Sequence, residues 1–354
     1  MRTAAIPDRA HDDLPPALTK LVLDHLDIFM CPACGGSLRV GDHPRGIECA
    51  ACARSFGCDQ GIPLFFWPTE WTAKSDVTDI VKAFYEGTPF PNYDDMDSTE
   101  SLRAKAEQGL FARLLDAQIP HGSRILECGC GTGQLSNFLG LVWGRSVFGS
   151  DLCLNSLKLA NSFKDQHSIP SVCFAQMNLF RPVFRPESFD FVISNGVLHH
   201  TSDPFLAFRT ILTCLKKGGF IVVGLYNTYG RLTTDIRRLI FRVTGDRFKF
   251  LDPRLRVKTL GDLRKHTWFK DQYKHPQESK HSFGEILRWF DSSGVEFINS
   301  IPRCTAGGSF TPDEALFDPH PRGSALDHFI AQLGMLLGGG REGGFFIMIG
   351  RKIA

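Results

Sequence analysis

The sequence predicts an α/β fold around a mainly parallel, Rossmann-like sheet. Short apolar segments of strand length recur along the chain, and the stretches between them carry apolar residues at helical spacing. A glycine-rich turn joins the first strand to a helix, as in sheets that bind a ligand at their strand ends. The strands are predicted at 125–126, 146–149, 171–175, 189–194, 220–225, 295–300 and 345–350, and the main helices at 134–142, from about 155, 204–216, 282–291 and 325–337.

The glycine-rich turn follows an acid at the end of the first strand. Three glycines stand at every second position after Glu127, so a ligand can lie against bare backbone there. The dinucleotide fingerprint needs its third glycine one place later, where Gln134 stands. The segment resembles motif I, E/D-x-G-x-G-x-G, of the class I S-adenosylmethionine (SAM) methyltransferases. A purely structural glycine turn is the alternative.

That resemblance implies a seven-stranded SAM methyltransferase sheet with an antiparallel last pair, and SAM as the cofactor. It places the cofactor against the residues of the turn, which are Glu127, Gly129, Cys130, Gly131, Thr132 and Gly133. Asp151 ends the second strand about 20 residues after the turn, where a ribose-binding carboxylate is expected. Capping of the following helix is the alternative role for Asp151.

Further cofactor contacts are expected where the later strands end. The resemblance places adenine beside the third strand's end, at a position where the family commonly has Asp and this chain has Asn178. An amide can donate to and accept from an adenine edge. The remaining predicted cofactor-binding residues are Leu152, Met177, Leu179, Asn195 and Gly196.

Residues 195–204 follow the fourth strand and resemble motif IV of the ubiquinone/menaquinone-type methyltransferases. They include His199 and His200, and a histidine has a pKa suited to a general base for a hydroxyl or phenol acceptor. At most one of two adjacent side chains is expected to face the substrate, and packing in a helix cap is the alternative. We expect His199→Ala to lower turnover without changing SAM affinity. Tyr226 ends the fifth strand and is a candidate for orienting the substrate.

Two C-x-x-C pairs near the N-terminus predict a structural metal site. Cys31 and Cys34, followed by Cys49 and Cys52, supply four thiolates in the spacing of a closed tetrahedral zinc site. A redox pair or four core cysteines are the alternatives. With residues 59–64, Asp-Gln-Gly-Ile-Pro-Leu, this segment resembles the zinc ribbon of the tRNA-methyltransferase activator family. A segment of this size needs such a staple to fold.

These motifs divide the chain into four predicted parts. Residues 1–27 are expected to form a flexible tail, 28–69 a zinc ribbon, 70–118 a helical lid or linker, and 119–354 the SAM methyltransferase domain. A basic insertion at about 227–280 follows the fifth strand, at the edge of the sheet where ligands bind. The lid aromatics Phe84, Tyr85, Phe90 and Tyr93 are expected near the pocket or, alternatively, in the core.

Composition limits the compartment and the partners. The net charge of +2 gives no global attraction to nucleic acid, and no apolar run is long enough for an integral membrane segment. Eleven cysteines without an export signal favour the reducing cytoplasm.

The favoured function is SAM-dependent methyl transfer to a small-molecule or lipid-like acceptor, and the basic insertion favours an anionic one. An RNA methyltransferase and a non-catalytic SAM-binding partner protein are the alternatives. The sequence predicts no oligomeric state.

Overall fold

A computed structural model of the protein describes residues 18–41, 46–69, 77–87, 89, 93, 98–258, 261–308, 310–337 and 343–353. The N-terminal ribbon is an antiparallel four-stranded sheet in the order β1-β2-β3-β4. Its strands are β1 (Leu38–Val40), β2 (Gly46–Cys49), β3 (Ser55–Asp59) and β4 (Ile62–Pro63). The ribbon thus contains both C-x-x-C pairs in a small, loop-rich sheet.

The central sheet has seven strands in the order β10-β11-β9-β8-β5-β6-β7. The strands are β5 (Arg124–Cys128), β6 (Ser146–Asp151), β7 (Val172–Gln176), β8 (Phe189–Asn195), β9 (Leu215–Tyr226), β10 (Val295–Ile301) and β11 (Phe345–Lys352). Neighbours from β7 to β9 run parallel, whereas β11 is antiparallel to both β9 and β10. The predicted α/β class, the seven strands and the antiparallel last pair are confirmed.

Helices cover both faces of this sheet. They are α1 (Lys20–Asp24), α2 (Thr78–Gly87), α3 (Thr99–Gln108), α4 (Leu110–Gln118), α5 (Gln134–Gly140), α6 (Leu154–Gln166), α7 (Pro204–Leu212), α8 (Leu232–Thr244), α9 (Asp262–Lys274), α10 (Phe283–Ser292) and α11 (Ala325–Leu337). Adjacent strand residues enter different cores: Ile125 packs in one apolar cluster and Leu126 in the other. Strands buried on both faces explain why the sequence shows continuous apolar runs there.

The region between α7 and the fifth parallel strand differs from its prediction. The helix ends at Leu212 instead of 216, and β9 begins at Leu215 because that residue pairs with Phe189 of β8. Lys217, Gly218 and Gly219, between the predicted helix and strand, therefore form an irregularity inside the strand, where the register with β8 shifts. Gly218 has φ +78° there, which a residue with a side chain rarely adopts.

The prediction of a flexible tail over residues 1–27 is wrong for residues 18–27, which are folded. Residues 1–17 lie outside the described part of the chain. Thr19 caps α1 by accepting a hydrogen bond from the Val22 amide, and Val22 is fully buried. Residues 18–27 therefore belong to the folded body, because their apolar side chains complete its core.

The ribbon packs directly on the central sheet and shares its core. Phe29 lies 4.9 Å from Phe184, ring centre to ring centre, and the Met30 amide donates to the Val183 carbonyl at 2.7 Å. On the other side the Phe65 amide donates to the carbonyl of Gln176, the last residue of β7. The ribbon thus extends the edge of the main sheet.

Within the described residues, no helix has the length and apolar character needed to cross a membrane.

Candidate functional site

A cavity of about 570 Å³ opens at the carboxyl ends of the parallel strands. This edge is where ligands bind in open α/β sheets, and the volume is in the range of small-molecule sites. Its walls come from the turns after β5 to β9, from α2 and from the insertion after β9. Of the predicted site residues, those lining it are Glu127, Gly129, Cys130, Gly131, Asp151, Leu152, Met177, Asn178, Leu179, Asn195, Gly196, His200 and Tyr226.

The glycine turn after β5 is shaped by close packing as well as by backbone conformation. Gly129 has φ +73°, and a Cβ there would lie 2.4 Å from Val197. Gly133 has φ +71°, and a Cβ there would lie 2.7 Å from Ala160 and Phe174. Gly133 and the fully buried Thr132 do not line the cavity, so they support the turn from behind.

Two carboxyl groups lie beside the turn. Asp151 accepts hydrogen bonds from the Gly131 and Cys153 amides, each at 2.8 Å, so it holds the turn and the start of α6 together. Asp151 does not cap α6, because Cys153 holds the N-cap position and accepts from the Ser156 amide, so the helix-cap alternative is wrong. Glu127 is buried and accepts a hydrogen bond from the Ser136 hydroxyl. Burial raises the pKa of Glu127 to about 8, and the hydrogen bond opposes that shift.

Asn178 lies in the cavity wall, but its amide is already engaged. Its Nδ2 donates to the Trp67 carbonyl at 3.0 Å and to the Thr69 hydroxyl at 3.1 Å, and its Oδ1 accepts from the Phe180 amide. These bonds tie the end of the ribbon to the wall of the cavity. The structure thus gives Asn178 a positioning role that the sequence did not suggest.

The two adjacent histidines have different surroundings. His199 is fully buried and does not line the cavity, and neither ring nitrogen has a hydrogen-bond partner among the described residues. The expectation that His199 is the general base needs correction, because the backbone after β8 turns its ring into the core against Tyr226. His200 lines the cavity, and its Nδ1–H donates to the Gln277 carbonyl at 2.7 Å. Burial lowers the pKa of His200 to about 4, so its ring is neutral and Nε2 is the basic nitrogen.

A polar wall faces His200. Gln272 donates from Nε2 to the Tyr226 hydroxyl at 2.8 Å and to Asp271 at 2.9 Å, and the Tyr85 hydroxyl donates to Asp271 at 3.1 Å. Burial raises the pKa of Asp271 above its usual range. Sequence reasoning placed Tyr85 near the pocket but missed Asp271 and Gln272, because both stand in a helix with no recognisable motif.

The other lid aromatics have different positions. Tyr93 stacks on Phe163 and accepts a hydrogen bond from Asn137, away from the cavity. Phe84 packs against Tyr85 and His275. Phe90 lies outside the described residues.

A buried ion pair supports this wall from behind. Arg231 is fully buried and donates to Glu278 through Nε at 3.0 Å and Nη2 at 2.6 Å. It also donates to the Gln272 side chain, and its guanidinium lies 3.7 Å from the Tyr226 ring centre. Burial alone raises the pKa of Glu278, but Arg231 and Arg238 outweigh it and lower the pKa to about 2. The ion pair thus fixes Gln272 and Tyr226, which both line the cavity.

The insertion after β9 contributes the outer rim of the cavity. Trp268 and Arg254 line it, with the guanidinium 4.0 Å from the indole centre. Asp252 is buried and accepts hydrogen bonds from the Trp268 indole and the Tyr273 hydroxyl. This anchor makes the rim a folded part of the site.

The four predicted metal-ligating cysteines meet in the ribbon. The sulfur atoms of Cys31, Cys34, Cys49 and Cys52 all lie within 4.8 Å of one another. The Cys31–Cys52 and Cys34–Cys49 sulfur distances are 3.8 and 3.5 Å, close to the edge of a tetrahedron with metal–sulfur bonds of about 2.3 Å. A Cβ on Gly36 would lie 2.7 Å from Ala51 and 3.0 Å from the Cys49 sulfur, so a glycine lets the turn close around the cluster. The donor set and spacing fit a structural Zn²⁺.

The fold is that of the class I SAM-dependent methyltransferases. Residues 126–223 match the family model described as "Methyltransferase domain". This stretch runs from β5 into β9 and includes the glycine turn, Asp151 and both histidines. The chain therefore contains a SAM-dependent methyltransferase domain.

Several proteins are similar to this chain. An uncharacterized Synechococcus protein is 25% identical over 255 residues, which cover 64% of this chain and 61% of that protein. A ubiquinone biosynthesis O-methyltransferase of Cereibacter sphaeroides is 28% identical over 118 residues, covering 33% of this chain and 47% of the relative. The solved magnesium protoporphyrin IX methyltransferase of Synechocystis, with bound SAH, is 14% identical with a TM-score of 0.45; the match covers 77% of this chain and 99% of that one. The chain thus spans about half to three fifths of the length of the Synechococcus and Cereibacter relatives.

Proposed function

We propose that the protein transfers the methyl group of SAM to an oxygen of an apolar, small-molecule or lipid-like acceptor. One observation carries the proposal: a single cavity joins the glycine turn to the wall of His200, Tyr226 and Asp271. The cofactor end and the acceptor end are therefore within one continuous cavity, as a direct transfer requires. The similarity to a ubiquinone biosynthesis O-methyltransferase supports an oxygen acceptor.

The residues at the turn suit SAM in charge and shape. Glu127 and Asp151 provide carboxylates for a ligand that carries an ammonium and a sulfonium group, and Asp151 is placed to accept from the ribose hydroxyls. Met177 and Leu179 supply an apolar surface for the adenine. When bound, SAM supplies a methyl group on a positively charged sulfur that is a good leaving group.

The other end of the cavity suits an acceptor with an apolar body and a polar head. Val77, Val81, Trp268 and Phe345 give apolar and aromatic lining, and the polar wall stands at the end. We assign His200 the role of orienting the acceptor's hydroxyl by accepting its hydrogen bond at Nε2, because its Nδ1 is held by the Gln277 carbonyl and its lowered pKa makes it a weak base. The hydroxyl proton passes to water when the methyl group is transferred. The other residues that line this end of the cavity orient the acceptor and exclude water.

The test separates binding from transfer. Titration of SAM followed by calorimetry is expected to give micromolar affinity that falls at least about tenfold in Asp151→Ala, since a charge-assisted contact is lost. His200→Ala should keep the SAM affinity and lose transfer of labelled methyl groups from SAM to a membrane-lipid extract. Absence of SAM binding by the wild type would refute the proposal. Labelling of total RNA in place of lipid would identify an RNA methyltransferase, and SAM binding without transfer to any lipid, small-molecule or RNA extract would identify a non-catalytic partner.

We also propose that the four ribbon cysteines hold one structural Zn²⁺. Cys31→Ser with Cys49→Ser is expected to abolish zinc binding, lower the melting temperature by several degrees and weaken SAM binding, because Asn178 is bonded to the end of the ribbon. Metal analysis, thermal unfolding and SAM titration measure the three effects. Cys58→Ser is the matched control, because this ribbon cysteine lies outside the cluster and should leave one zinc per chain. Full zinc content in the double variant would contradict the assignment.

A further inference from the structure

The outward face of α8 is apolar. Leu232, Ile236, Leu239 and Val243 follow one another at intervals of three or four residues and so share one side of the helix. The last three are 55, 63 and 77% exposed, while Phe241 on the opposite side is buried. A surface helix ordinarily turns its apolar stripe toward the core. This stripe therefore points to an occupant outside the described chain.

The exposed apolar surface extends beyond α8. Phe248, Phe250 and Val257, in the segment that follows the helix, are also exposed. A second exposed stripe lies on α11, which reaches the start of α8 where the Phe329 and Tyr229 rings are 6.1 Å apart. Apolar surface of this extent marks an interaction site.

The same surface is strongly basic. The exposed basic residues around the stripe are Arg242, Arg247, Lys249, Arg254, Arg256 and Lys258. Between residues 232 and 258 there are three acids. Asp235 is paired with Lys280 and Arg238, Asp246 is paired with Lys274 at 2.8 Å, and Asp252 is buried in its anchoring role. The exposed charge of this surface is therefore cationic, and it complements an anionic partner.

We propose that residues 232–258 dock the protein on an anionic lipid bilayer, with α8 lying in the plane of the interface. Exposed Leu, Ile and Phe side chains enter the boundary between headgroups and acyl chains, and the Arg and Lys side chains bind the anionic headgroups. A helix of 13 residues is about 20 Å long and so is shorter than the roughly 30 Å hydrocarbon core, which fits lying on the membrane. An RNA partner would leave the apolar stripe in water.

Docking would place the acceptor end of the cavity at the lipid surface. Arg254 belongs both to the basic surface and to the cavity rim, and its neighbour Trp268 lines the same rim. An apolar acceptor would then reach the site without crossing water. The delivery of an acceptor from the bilayer rests on the proposed function, whereas the docking on the bilayer does not.

Sedimentation with vesicles tests the proposal. We expect binding to vesicles of equal parts phosphatidylcholine and phosphatidylglycerol, weakened by salt, and little binding to phosphatidylcholine alone. Arg242→Ser with Arg247→Ser should weaken it about 25-fold, from about five-fold per basic residue. Ile236→Asp with Leu239→Asp should weaken it at least as much. The control is Trp143→Asp. This exposed residue precedes β6 at the amino ends of the strands, whereas residues 232–258 follow β9 at the carboxyl ends.

Three outcomes would overturn the proposal. They are failure to bind the anionic vesicles, undiminished binding by the Ile236→Asp/Leu239→Asp variant, and a wild-type dimer that this variant dissociates, which would mean that a second copy covers the stripe. SAM titration of the same samples keeps the two proposals apart. Intact SAM binding without vesicle binding refutes the docking alone, whereas vesicle binding without SAM binding refutes the proposed function alone.

Discussion

Replacing Arg231 with methionine is expected to lower the free energy of unfolding by up to about 3–5 kcal/mol, because the buried Glu278 carboxylate would lose its fully buried partner and keep only the partly exposed Arg238. The Glu278 side chain is only 3% exposed, so water cannot take the place of the guanidinium. The loss should appear in chemical denaturation as a lower midpoint. We expect SAM affinity to change little, because Arg231 contacts Gln272 and Tyr226 and not the glycine turn.

Arg238→Met is the matched control for this prediction. Arg238 also donates to Glu278 at 2.8 Å, but its side chain is 28% exposed and Arg231 remains in place. We therefore expect a loss of about 1 kcal/mol or less. Glu278→Gln in the Arg231→Met background should recover part of the stability, since it removes a buried charge that only the partly exposed Arg238 still balances. Equal losses for the two arginine variants would contradict the account of the buried pair.

SAM affinity is expected to rise with pH up to about 8, by as much as tenfold per pH unit. Burial raises the pKa of Glu127 to about 8, so this carboxyl is protonated at lower pH in the ligand-free protein. A cationic ligand favours the carboxylate, and its binding must then release the proton. Above about pH 8 the carboxylate is already present and the dependence should end. Calorimetry in buffers of different ionisation enthalpy measures both the affinity and the released proton.

Glu127→Gln is expected to remove this pH dependence and to bind SAM no more tightly than the protonated wild type does. The control is Glu187→Gln, because Glu187 is exposed and lies away from the cavity. That variant should keep the wild-type profile. A wild-type affinity that does not change between about pH 6 and 8 would show that Glu127 does not exchange its proton for the cofactor.

The sequence predicted most of the sheet and its strand ends, because both depend on local patterns. Buried parallel strands are continuous apolar runs, and a turn that needs positive φ needs glycine. Thus Gly129 and Asp151 lie at the cavity where the spacing placed them. The cysteine cluster was predictable for the same reason, since two tight C-x-x-C turns set most of its geometry.

The acceptor side was less predictable, because it depends on contacts between distant segments. Asp271 reaches the cavity only because α9 packs beside the end of β9 and α2 brings Tyr85 to it. Nothing near residue 271 in the sequence signals this. The choice between His199 and His200 was likewise decided by the three-residue turn of helix that contains both, which turns one ring inward.

The two hydrogen bonds from Asn178 to the ribbon's end have a consequence for how such a chain can be rearranged. Because the Trp67 carbonyl and the Thr69 hydroxyl hold a wall residue of the cavity, the ribbon is not an interchangeable module. A chain shortened to the catalytic sheet would uncover Phe148 and Phe184 and free the amide of Asn178. Grafting this ribbon onto another catalytic sheet, or exchanging it for a different one, would therefore require redesign of the cavity wall around Asn178 as well.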